Sequence, residues 1–148
     1  MVNKQKLGSK INNLLLDLKK ISNSKGIPAV DSNKQPCLIK LCDTVVEFVP
    51  EFKNCEDFLL FGKENPYLHF GVFGSFLCEQ IDKDIASDAI ERGFNFVNES
   101  YNNMRDEHIQ TMLSTEILEK LTASEKMIVI AKKFLIGDAL NQFQKMLE

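Results

Sequence analysis

Apolar residues recur at helical spacing along nearly the whole chain, and no run alternates convincingly with a period of two. The first such segment places Leu7, Ile11, Leu14, Leu18 and Ile21 four and three residues apart, which traces one narrow seam with Lys4, Lys10, Lys19 and Lys20 off it. Gly26 and Pro28 end that helix. The chain therefore divides into a Lys-rich amphipathic helix over 1–25, a linker over 26–36 and an all-helical domain over 37–148.

The domain's first helix begins near Pro36 and carries Leu38, Leu41, Cys42, Val45, Phe48 and Val49 before Pro50 stops it. Residues 50–64 are less regular, but Phe52, Phe58, Leu59 and Phe61 still demand burial. Asn65-Pro66 opens the next helix, over about 66–81, because Asn caps the free amides and Pro suits the first helical position. Its Leu68, Phe70, Val72, Phe73, Phe76, Leu77 and Ile81 wrap more than half of its circumference. A helix so apolar is buried at the centre of a domain. Its remaining arc holds only Gly71, Gly74, Ser75 and Cys78, which lets another backbone come close.

A strongly amphipathic helix follows over about 83–103. Ala86, Ala89, Ile90, Gly93, Phe96, Val97 and Tyr101 share its inner face, while Asp84, Asp88, Glu91, Asn95, Asn98, Glu99 and Asn102 share the outer one. A helix over about 105–121, capped by Asn103, uses Ile109, Met112, Leu113, Ile117 and Leu121. Its apolar face rotates along its length, bringing Glu116 and Glu119 onto the side of Ile109 and Met112. Thr122-Ala123-Ser124-Glu125 fits a capping box for a helix with Met127, Ile128, Ala131, Phe134 and Leu135. Gly137 breaks it before final turns that carry Leu140, Phe143 and Leu147. Short connections imply antiparallel neighbours. The expectation is a single all-α domain of six or seven helices around a buried central helix at 66–81.

With 148 residues, 44% of them hydrophobic and 26% charged, the chain suits one domain with a sizeable core. Charge is uneven. Residues 1–40 hold eight Lys against Asp17 and Asp31, so a basic arm of net +6 precedes a body of net −9. The arm has Lys but no Arg, which argues against base and phosphate recognition, so a nucleic-acid role is not expected. Cys37, Cys42, Cys55 and Cys78 form no C-x-x-C, and His69 and His108 fall at no zinc-like spacing from them. They read as reduced core thiols of a cytoplasmic protein. No apolar run is long enough to span a membrane, and no secretory signal is present.

Candidate chemistry is sparse. Nucleotide loops, nucleophile elbows and H-E-x-x-H are absent. Glu116 and Glu119 beside His108 suggest an acid–base or metal site, but eight residues from His108 to Glu116 span roughly 12 Å, too far for one ion. An exposed edge with Glu116 paired to Lys120 is the plainer reading. His69 lies among Phe and Leu and reads as a buried neutral ring. The acidic line of Asp84, Asp88 and Glu91, with Glu79 and Asp82 nearby, is the better candidate, as a docking face for a basic partner.

Four stretches, FVPEF at 48–52, NPYLHFGVFGSFL at 65–77, FNFVNE at 94–99 and IQTMLSTEILEKL at 109–121, resemble a family of small bacterial all-helical domains over about residues 38–140. That family has no assigned activity, and some of its members are suspected immunity-type proteins that neutralise a toxin. The resemblance implies no catalytic residues. The leading expectation is a non-enzymatic, cytoplasmic protein-interaction module of immunity or regulatory type, without metal or cofactor, which binds through Glu79, Asp84, Asp88 and Glu91. The N-terminal seam docks on the body or pairs two copies as a homodimer; membrane attachment is not expected, since that helix lacks aromatic residues. The alternative is a ligand-binding or enzymatic helical domain with a Phe-lined pocket at His69, Glu116 and Glu119.

Overall fold

A computed structural model describes residues 30–55, 66–84, 87–103 and 106–148, with side chains described from residue 39 onward and at all of these except Ser87. The N-terminal seam, Cys37, Leu38, Phe58, Leu59, Phe61, Asn65 and Ala86 lie outside that description. Among the described residues the fold is all-α. The helices are α1 (Val30–Phe48), α2 (Pro66–Asp82), α3 (Ser87–Asn103), α4 (Glu107–Leu113), α5 (Glu125–Phe134) and α6 (Gly137–Met146). Short turns join them: 3-10 turns at Pro50–Asn54 and Lys120–Thr122, and a π-helical turn at Ser114–Leu118.

α1 begins at Val30, so residues 30–36, read from sequence as linker, are helical. That stretch is mostly polar in sequence, which leaves no apolar period to detect. Leu41, Cys42, Val45, Phe48 and Val49 are buried as their spacing implies.

α2 buries Pro66, His69, Phe70, Gly71, Phe73, Gly74, Phe76, Leu77 and Ile81. It packs against α1, α3, α4, α5, the π turn and the Lys120–Thr122 turn. Leu68 departs from the sequence reading and is 44% exposed. The phenylalanines of α2 meet those of other elements at short range. Phe73 lies 5.2 Å from Phe52 and 5.9 Å from Phe96, and Phe70 stacks on Phe96 at 5.9 Å. Such ring pairs add about 0.5–1.5 kcal/mol each beyond the area they bury.

The acidic helix starts later than its pattern suggested. Asp84 sits in a turn with φ of 53°, a left-handed conformation that Asp tolerates better than most residues, and α3 opens only at Ser87. Nor are Asn98 and Asn102 on an outer face. Asn98 is 7% exposed; its amide donates to the Phe134 carbonyl (2.9 Å) and its oxygen accepts from the Ile136 amide (3.0 Å). Asn102 donates to the Ile136 carbonyl (3.0 Å) and accepts from the Ala139 amide (2.8 Å). One turn apart on α3, the two side chains hold the end of α5 and the start of α6. Ile136 occupies the cap position of α6 and has no capping side chain, so Asn102 supplies that cap from another helix. Gly137, with φ of +61°, makes the bend between the helices, and Asn102 packs against it.

The helix expected over 105–121 is interrupted. Asp106, not Asn103, caps α4, accepting from the amides of His108 (3.0 Å) and Ile109 (3.2 Å). From Ser114 the hydrogen bonding widens, and the Glu119 amide reaches back to the Ser114 carbonyl at 2.8 Å. This accounts for the rotating apolar face. In an uninterrupted helix Leu118 would point opposite Ile109. One extra residue in the turn swings the following side chains back by roughly 100°, so Ile117, Leu118 and Leu121 are all buried with Ile109, Met112 and Leu113. The capping box is also displaced. Ser124, two residues beyond Thr122, caps α5 by accepting from the Met127 amide at 3.2 Å.

Candidate functional site

The small-residue arc of α2 is filled by the π turn. A β-carbon on Gly74 would lie 2.3 Å from the backbone oxygen of Glu116, and one on Gly71 would lie 2.8 Å from its carboxylate. Lys120 crosses to the same arc, donating to the Gly71 carbonyl (2.6 Å) and the Ser75 hydroxyl (3.2 Å), in place of the i, i+4 pairing with Glu116. These two contacts make Lys120 a strut across the small-residue arc of α2. Cys78 is half-buried beside this cluster, and burial pushes its thiol up, against a smaller opposing effect of the Lys120 charge.

His69 is 3% exposed and packs edge-on against Phe52 (5.4 Å) and Phe70 (5.8 Å). Glu116 is half-buried over α2, whereas Glu119 and His108 are exposed. The three residues of the anticipated Phe-lined pocket thus have three different surroundings. Among the described residues no group of three or more His, Cys, Asp or Glu is placed to hold a metal ion.

The acidic residues are brought together only in part. Asp88 and Glu91 are exposed on α3, one turn apart. Asp84 is displaced into the preceding turn, where it is 79% exposed and meets Lys126 at 2.9 Å. Glu79 pairs instead with Lys83, whose ammonium it holds above the ordinary lysine range through their hydrogen bond. Arg92 stands one turn beyond Asp88 on α3, close enough to feel its charge. It makes a two-pronged contact with Glu51 (2.8 Å on one prong) and donates to the Phe48 carbonyl at 3.2 Å, tying the Pro50–Asn54 turn to α3. The guanidinium's hydrogen bonds hold the Glu51 carboxyl below its ordinary value.

Between the acidic edge and α5 lies an open groove of about 190 Å³, which the sequence did not reveal. Ile81 from the end of α2, Ile90 from α3, and Ile130 and Phe134 from α5 form its apolar floor, with Asp84, Lys126 and Lys133 at the rim. On α5 the spacing of Lys126, Ile130, Lys133 and Phe134 places all four on one side. The rim lysines are engaged within the fold. Lys126 holds Asp84 and the Asp82 carbonyl (3.3 Å), and the Lys133 ammonium stands 5.4 Å from the centre of the Phe134 ring. Phe134 in turn stacks on Phe94 at 5.6 Å. Val129, between Lys126 and Lys133 on the helix surface, is 57% exposed. The only sequence signal for this site was a surplus: α5 carries more apolar residues than one buried stripe needs.

None of His69, Glu116 and Glu119 lines this groove. Free thiols are present at Cys42, Cys55 and Cys78. No described helix is long and apolar enough to cross a membrane.

No curated protein and no solved structure matches the chain. A family model does, over residues 42–143, from the middle of α1 to the last turns of α6 and so across the π turn, the asparagine pair and the groove. The chain belongs to the family described as a domain of unknown function, DUF7674.

Proposed function

We propose that this domain is a non-enzymatic protein-interaction module, and that its groove takes a partner helix with an aliphatic seam flanked by basic residues. One observation carries the reading: an apolar floor of Ile81, Ile90, Ile130 and Phe134 opens to solvent beside the turn at Asp84, with Asp88 and Glu91 exposed further round α3. Apolar burial supplies affinity in such an arrangement, while the acidic edge supplies orientation and association rate.

The resemblance seen in the sequence favours an immunity or regulatory role, in which the partner is a toxin-like protein held inactive by the complex. Free thiols at buried Cys42 and half-buried Cys55 and Cys78 suit a bacterial cytoplasm.

Affinity capture with the wild-type chain, a Val129→Asp variant and an Asp88→Lys/Glu91→Lys variant tests this reading. Both sites are exposed, so the fold should be retained. A partner held by wild type and lost by both variants supports the module; retention of every partner by both variants overturns it.

A further inference from the structure

We propose that the helix taken by this groove presents a carboxylate at the Phe134 end, where it meets the ammonium of Lys133. The inference rests on the reading of the groove as a receptor for a partner helix, and it names the chemistry that orients that helix.

One charge on the rim is uncompensated. At the end beside Ile81, Lys126 pairs with Asp84 at 2.9 Å and also donates to the Asp82 carbonyl at 3.3 Å, so that end is locally neutral. Lys133 stands seven residues further along α5, roughly 10 Å by helical rise, at the opposite end. Among the described residues no carboxylate pairs with it. Its ammonium lies instead 5.4 Å from the centre of the Phe134 ring, and that ring stacks on Phe94 at 5.6 Å. A cation–π contact thus holds the charge at the lip of the groove, over a ring that belongs to the floor. An ordinary surface lysine gives up side-chain freedom when it forms an ion pair. Lys133 has surrendered part of that freedom already, and a carboxylate can join it without displacing the ring.

Between the two ends Ile90 and Ile130 offer apolar surface alone. The occupant that complements this order carries aliphatic residues one turn apart, then a Glu or Asp two turns from the first. A lysine in that last place would meet like charge. The basic residues of the same helix belong on its other flank, toward α3, where Glu91 is exposed.

Three fluorescein-labelled peptides test this by anisotropy against the full chain. Each is an alanine-rich helix with leucines at i and i+4, lysines on one flank, and Glu, Gln or Lys at i+7. The Glu peptide should bind about two- to five-fold more tightly than the Gln peptide, the range of an exposed ion pair, and the Lys peptide most weakly. Lys133→Met should abolish the difference and Lys133→Glu should reverse the order. Lys132→Met makes the same change of net charge one residue away, outside the groove lining, and should preserve the order.

Equal binding of the three peptides overturns the role of Lys133 while the groove reading stands. A preference that Lys133→Met leaves intact, or that Lys132→Met removes as fully, does the same. Failure of every peptide to bind, or binding that survives Val129→Asp, removes the groove reading itself. Wild-type dimers that Val129→Asp dissolves in sedimentation would give the groove to a second copy and overturn both.

Discussion

Gly74 and the backbone carbonyl of Glu116 meet so closely that a β-carbon on residue 74 would stand 2.3 Å from that oxygen. The neighbour is main chain, held by the π turn, and it has little room to give. Gly74→Ala gains about 1 kcal/mol of helix propensity, but forcing the two backbones apart in a packed core costs about 1–3 kcal/mol or more. We expect net destabilisation, read as a lower urea midpoint at unchanged slope. Gly93→Ala is the internal comparison. Its β-carbon meets a methyl of Leu77 at 2.5 Å, the far end of a side chain, so the loss should be smaller. A larger loss at Gly93 than at Gly74 would refute this account of the α2 arc.

Asn102 acts as the cap that Ile136 cannot provide. Asn102→Ala should lower stability by about 1 kcal/mol, the ordinary value of a helix cap. Ile136 is 61% exposed and already extended at the cap position, so Ile136→Ser in the Asn102→Ala background should recover part of that loss. Asn98→Ala should cost more, about 1–3 kcal/mol, because it removes a buried side chain and strands a part-buried carbonyl and amide. Thermal or urea unfolding of the four proteins decides it; absence of any rescue by Ile136→Ser would show that Asn102 acts otherwise than as a cap.

The Arg92–Glu51 contact predicts a pH dependence. Hydrogen bonds from Arg92 lower the folded-state value of Glu51 below the 4.5 of an ordinary glutamate. Its contribution is therefore complete above pH 4.5 and is lost as pH falls through the lower, folded value. Both side chains are partly exposed, at 25% and 41%, so solvent screening limits the pair to about 0.5–1 kcal/mol. Unfolding measured from pH 7 down to 3 should show this increment in wild type and not in Glu51→Gln. Identical acid profiles would remove the pair as a source of stability.

Cys78 should be a slow thiol. Burial disfavours its thiolate and the Lys120 charge only partly offsets that. Alkylation by iodoacetamide at pH 8, followed on the Cys78 peptide by mass spectrometry, should be slower in the folded protein than in urea. Lys120→Met should slow it further by removing the opposing charge. Faster labelling in that variant would mean that Lys120 shields the thiol sterically.

Phe73 is a core position with much to lose. It is fully buried and its ring meets those of Phe52, Phe76 and Phe96, from three different elements. Phe73→Ala should cost about 3–5 kcal/mol, most of the margin of a domain at the low end of ordinary stability, about 5 kcal/mol. Phe73→Leu, which keeps most of the volume, should leave a folded but weakened protein by circular dichroism.

Local patterning by itself determined the helical class, the span and burial of α2, the small-residue arc that receives another backbone, and the break at Gly137. These are readable because an amphipathic period records which side of each helix avoids water, and because Gly and Pro restrict backbone geometry wherever they stand. Tertiary structure decided the rest. A polar residue looks alike in sequence whether it faces water or another helix's free amides, and so Asn98 and Asn102 passed for surface when they join α3 to the α5–α6 bend. The phase shift at Ser114–Leu118 pits local hydrogen bonding against burial of Leu118, and only the packing of both ends on α2 resolves it. The groove, too, belongs to no one helix. Ile81, Ile90, Ile130 and Phe134 come from three elements, and the gap they enclose exists only where those elements meet.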